Sequence, residues 1–164
     1  MGLDITAYRG LTPAPDAPVD SDGYPEDWEA HLRIRAESLQ EAEKYWPGRT
    51  AGLAPGIYSH AGSYGFCAGS YGGYNEWRDR LAYLAGYYSA ESVWKDKPTG
   101  PFVELIDFSD CEGYIGPTVA AKLSQDFAAF ADKIRDLPDW FRELYGYWRH
   151  AFDLAADGGC VVFH

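Results

Sequence analysis

The chain has 164 residues, 46% hydrophobic and 16% aromatic. That is the size and composition of one folded domain and excludes a disordered chain. The formal charge of −11 excludes free DNA or RNA and an anionic bilayer as partners, since both need a cationic surface, and it favours a basic protein surface.

The charge is uneven. Residues 1–50 hold ten acids and five bases, residues 51–100 four of each, and residues 101–164 eleven acids and five bases. No apolar run is long enough to span a bilayer, and no signal-peptide pattern opens the chain. The first six residues formally fit a myristoylation pattern, but the alternation of residues 3–8 favours a buried strand over an anchor. Cys67, Cys111 and Cys160 form no C-x-x-C pair, and His31, His60, His150 and His164 are scattered. This points to a reducing, cytoplasmic setting with no metal and no cofactor.

In chain order, the strand at 3–8 leads into "LTPAPDAPVDSDGYPEDW". Its prolines remove backbone donors and its acids demand water, so residues 11–28 are predicted as a surface loop. A short strand at 31–34 and a helix at 37–45 follow, the helix stopped by Pro47-Gly48. A strand at 57–60 enters the glycine-aromatic stretch "SYGFCAGSYGGYNEW", predicted as a loop. Asn75 reads as the N-cap of a helix over 76–88, with Trp77, Leu81, Leu84 and Tyr88 at helical spacing. Residues 102–108 are dense in strand formers and predict a buried strand. Apolar stripes at Ala120, Leu123, Phe127, Phe130, Ile134 and Leu137, and at Phe141, Leu144, Trp148, Phe152 and Ala155, predict two helices divided by Pro138. A strand at 160–163 closes the chain. The expected fold is a single α+β domain, with a small mixed or antiparallel sheet on three to four helices.

Three constellations could carry chemistry. The glycines at 65, 69, 72 and 73, Ser70 and Arg78 would suit a nucleotide-like anion, although neither phosphate-loop fingerprint is met. Tyr64, Phe66, Tyr71, Tyr74 and Trp77 in the same stretch would suit a stacking or protein-binding surface. "FSDCEGYIGP" resembles part of a calcium loop, but Phe108 and Val119 stand where carboxylates are required. It therefore reads as a turn in which Asp110 and Glu112 bond backbone amides. Cys67 and His60, seven residues apart, are the weak candidates for a Cys/His hydrolase, with no third orienting residue.

Three segments, "MGLDITAY", "AGSYGGYNEWRDRLA" and "LIDFSDCEGYIGPTVAAKLSQDFAAF", resemble a set of small uncharacterised proteins encoded by bacteriophages, prophages and bacteria. The family has no assigned catalytic role, so no functional residue transfers. The resemblance implies an accessory protein acting in the bacterial cytoplasm. The expected function is a non-enzymatic acidic factor that docks on and inhibits a host protein with a basic surface, such as a defence or nucleic-acid-processing protein. A small-anion binder at 63–80 and a Cys/His hydrolase are the alternatives.

Overall fold

The computed structural model describes residues 2–164. Strand β1 (Gly2–Arg9) has the expected alternation, with Leu3, Ile5 and Ala7 buried and Asp4 and Arg9 in solvent. It pairs antiparallel on both sides, with β5 (Gly62–Ser70) and with β7 (Cys160–Phe163). β7 also pairs with β6 (Gly113–Ile115), giving a four-stranded sheet of order β5-β1-β7-β6.

The last strand is buried throughout because both faces of the sheet are covered there. Val161 and Phe163 enter a larger core, and Cys160 and Val162 a smaller one. The smaller core lies under a three-stranded antiparallel sheet of β2 (Thr12–Pro13), β4 (Gly56–Ser59) and β3 (His31–Ile34), in the order β2-β4-β3. Helix α1 (Ala36–Tyr45) supplies Leu39 to it.

The larger core belongs to the helices. α2 (Tyr71–Leu84), α5 (Pro117–Phe130) and α6 (Asp139–Ala155) bury aromatic stripes against the sheet, joined by short α3 (Ala90–Asp96) and α4 (Val103–Ile106). Trp77 stacks on Trp148 at 5.8 Å and on Phe141 at 5.7 Å, and Phe127 stacks on Phe152 at 5.8 Å. Each such ring contributes roughly 1.5–3 kcal/mol through burial, which makes this the main source of stability. The architecture is α+β as expected, with two antiparallel sheets instead of one and six helices among the described residues. No helix is long and apolar enough to cross a membrane among the described residues.

Five expectations are corrected. The glycine-aromatic stretch is a strand followed directly by a helix. The Ser70 hydroxyl accepts from the Gly73 amide at 3.1 Å, so Ser70 and not Asn75 caps α2. α2 ends at Leu84, before Gly86 at φ +93°. Residues 102–108 are buried as expected but form one helical turn, because side chains satisfy their backbone groups in place of a neighbouring strand (below). The stripe from 120 to 137 is broken. α5 stops at Phe130, a 3₁₀ turn spans Ala131–Ile134, and Pro138 starts α6.

Two glycines separate packing from propensity. A β-carbon on Gly159 would overlap the Tyr8 carbonyl oxygen, so Gly159→Ala is expected to destabilise by about 2 kcal/mol or more. Gly146 sits inside α6 with open space around it, so Gly146→Ala is expected to stabilise by about 1 kcal/mol. Denaturant midpoints read both.

Candidate functional site

The residues singled out between 63 and 78 divide into two groups. Strand alternation turns Tyr64 and Phe66 toward α6, where Tyr64 meets His150 at 4.4 Å and Phe66 meets Trp148 at 5.1 Å. The same alternation leaves Ser63, Gly65 and Cys67 exposed on the opposite face. Tyr71 and Ser70 are exposed at the start of α2. Tyr74, Trp77 and Arg78 are core residues and offer nothing to a partner. The aromatics among glycines suggested a stacking surface, but the helical spacing of 74, 77 and 78 makes them part of the buried stripe of α2.

Arg78 is only 3% exposed, and its charge is used internally. Its Nη1 donates to the Phe108 carbonyl at 2.6 Å and to that of Ile106 at 3.4 Å. Its Nη2 donates to Asn75 Oδ1 and lies 3.6 Å from the Asp110 carboxylate. The guanidinium also stacks over the Tyr74 ring at 4.7 Å and faces Trp94 at 5.3 Å. Arg49 does the same from the other side, donating to the Glu104 carbonyl at 3.1 Å and the Asp107 carbonyl at 3.2 Å.

Trp94 Nε1 donates to the Ile106 carbonyl at 2.7 Å, and the Asp126 carboxylate accepts from the Phe102 amide at 2.8 Å. Phe102 is thereby held, fully buried, at φ +61°. In the following turn Ser109 Oγ accepts from the amides of Cys111 and Glu112. The amide-bonding role expected of Asp110 and Glu112 belongs to Ser109, while Asp110 accepts from Asn75 Nδ2 at 3.2 Å.

An anion site over 63–80 is not assembled by these residues. Arg78 is committed to carbonyls, and the Ser70 hydroxyl occupies the start of α2. Nor are the hydrolase candidates brought together. Cys67 pairs with Asp4 on β1, whereas His60 lies beyond Gly62 at the other end of β5, under Tyr8. The extended strand between Gly62 and Cys67 alone spans about 16 Å. His60 instead hydrogen-bonds the Glu29 carbonyl at 3.0 Å through Nε2.

A second surface escaped the sequence reading. The predicted loop at 11–28 begins with the short strand β2 at Thr12–Pro13, and the rest is a loop with internal order. The Asp20 carboxylate accepts from the amides of Asp22 and Tyr24 at 2.9 and 2.8 Å, and Val19 bridges Pro25. Arg33 donates to the Asp22 carbonyl at 2.8 Å and stacks over Tyr24 at 4.7 Å. His60 holds the far side of the loop through Glu29. The loop and the start of α1 wall a shallow cavity of about 550 Å³.

Trp28 stands between Asp27 and Glu29 and is 73% exposed, so its indole is presented to water on a pinned backbone. The signal for it was a large aromatic inside an acidic run. None of the ten acids among residues 1–50 is ion-paired with a base among the described residues.

Arg78→Met orphans the buried Phe108 carbonyl and removes a donor from Asn75, and is expected to cost about 2–4 kcal/mol in chemical denaturation, whereas Arg80→Ala, removing an exposed pair with Glu76, costs under about 1 kcal/mol. Cys67 and Cys111 are exposed and Cys160 is buried, with its thiol pushed up to about 12 by desolvation. A thiol reagent should therefore label two cysteines quickly and the third only on unfolding. Burial also raises the Tyr74 and Tyr145 phenols. Folding keeps all three groups protonated. The stability they contribute is complete below the ordinary thiol value of 9.0 and is lost as pH rises toward 12. Thermal melts from neutral to alkaline pH measure this. Compared with known proteins, the chain matches no family model, no curated protein and no solved structure.

Proposed function

We propose that this chain is a non-enzymatic, acidic binding domain that docks on a basic surface of a host protein and blocks it. The setting implied by its sequence resemblance is an accessory factor of a phage or prophage in the bacterial cytoplasm. The carrying observation is the run of acids at 16, 20, 22, 26, 27 and 29, none ion-paired among the described residues, on the loop that carries the exposed Trp28. Carboxylates with no basic partner of their own keep their field for an incoming cation, which raises the association rate and selects basic partners. A large exposed indole on an ordered loop supplies the apolar anchor on which affinity concentrates. The backbone bonds of the 18–26 turn and the Arg33 contact fix the loop before binding, which lowers the ordering cost.

The test is retention of a basic protein from bacterial lysate on the immobilised chain. A specific protein should bind at low salt and elute as salt rises. Trp28→Ala should weaken its binding roughly 30-fold or more. Joint neutralisation of Asp16, Asp22 and Glu26, whose side chains bond no other group among the described residues, should flatten the salt dependence. Retention that survives both variants unchanged, or no retention at low salt, contradicts the reading.

A further inference from the structure

β5 is an edge strand, and among the described residues no backbone group pairs along its outer side. Free edges are normally blunted by a proline, a lysine or another charge. The sequence of β5, GSYGFCAGS, has none of these. It lies within a run from residue 50 to 75 that contains no Asp, Glu, Lys or Arg at all. The only irregularity is the register shift opposite Gly2 and Asp4, near Gly69 at φ +94°, which leaves residues 62–67 as a regular, unprotected edge. Beside it, on the helix side, lie the half-buried Tyr64 and Phe66 and the 38% exposed Tyr147, which packs on Phe66 at 5.8 Å.

We infer that this edge pairs antiparallel with the β5 edge of a second copy, joining two four-stranded sheets into one continuous sheet across a two-fold axis. The occupant follows from charge. A basic partner is drawn to the acidic loop and gains nothing electrostatic from a neutral strand. A second copy carries −11 of its own and meets repulsion at every acidic face. Pairing β5 with β5 brings the neutral stretches together.

An isologous pair also satisfies both open edges at once, and the aromatic bands of the two copies meet beside the new ladder. The two ends of β1 behind the edge carry Asp4 and Arg9, on opposite faces of the sheet and three strand spacings, about 14 Å, from the β1 of the other copy, so salt largely screens them and they add little affinity.

Light scattering on the purified chain tests the inference. A dimer of twice the 18.3 kDa chain mass is expected, and its association should strengthen as salt rises, because screening relieves the like net charge. That sign is opposite to the one expected for docking on a basic protein, so the two proposals fail separately. Ser63→Glu with Cys67→Glu places like charges on the paired edge and should weaken the dimer about a hundredfold. Both positions are exposed in the single chain, so at dilutions where the parent chain is monomeric the two thermal melts should coincide. Ser63→Glu alone serves as the second variant if the double one does not fold. A monomer at every salt concentration through the micromolar range overturns the inference, as does a dimer that both variants leave intact.

Discussion

One buried cation organises much of this molecule. The Arg78 guanidinium has no water to solvate it, so the chain must bring acceptors to it. It does so with the carbonyls of Ile106 and Phe108, the Asn75 side chain and the rim of Asp110. A planar fork of donors can hold several carbonyls at fixed angles, which a lysine ammonium cannot. The result is a non-repetitive buried segment whose polar groups are satisfied without a strand beside it. Because Arg78 belongs to α2, and α2 continues directly from β5, the same contacts that fix the 102–110 path also anchor the end of the edge strand.

The clamp shapes the surface as well. Arg49 and Arg78 face inward. Lys97 and Lys122 are spent on Asp107 and on Glu104 and Asp126, and Arg33 secures the acidic loop. Several remaining bases sit in helical pairs with their own neighbours. The acids of the first fifty residues keep no such partners, so the positive charge is consumed by architecture and the negative charge is left to the outside. The molecule therefore carries an acidic loop with an exposed tryptophan and a charge-free sheet edge.

The sequence revealed elements wherever burial had a period. Leu3, Ile5 and Ala7 alternate on β1, and the α6 stripe from Phe141 to Ala155 recurs every three or four residues, as the fold requires. It misled where burial had none. Residues 102–108 are apolar because they are buried, and their strand-forming composition carried no information about the side chains that satisfy their carbonyls, which come from positions 49, 78 and 94. The glycines at 72 and 73 hid the first turn of α2, which the Ser70 cap holds against poor propensity. At the candidate site, the aromatic residues at 64, 66 and 71 do lie at or near the surface, while 74, 77 and 78 follow helical spacing into the core. Trp28 was not legible as a presented residue, because its exposure depends on the loop being pinned by Arg33 on β3 and by His60, thirty-two residues along the chain.

Amide hydrogen exchange across the 102–110 segment tests the clamp most directly. The amides of Leu105, Ile106 and Asp107 bond only to the first residues of a single helical turn, and such a turn alone opens freely. Held by Arg49, Arg78 and Trp94, they should exchange only with global unfolding, as slowly as the amides of β1. Exchange at the rate of an isolated turn, with β1 still protected, would show that the buried cations do not organise this segment and would contradict the account built on them.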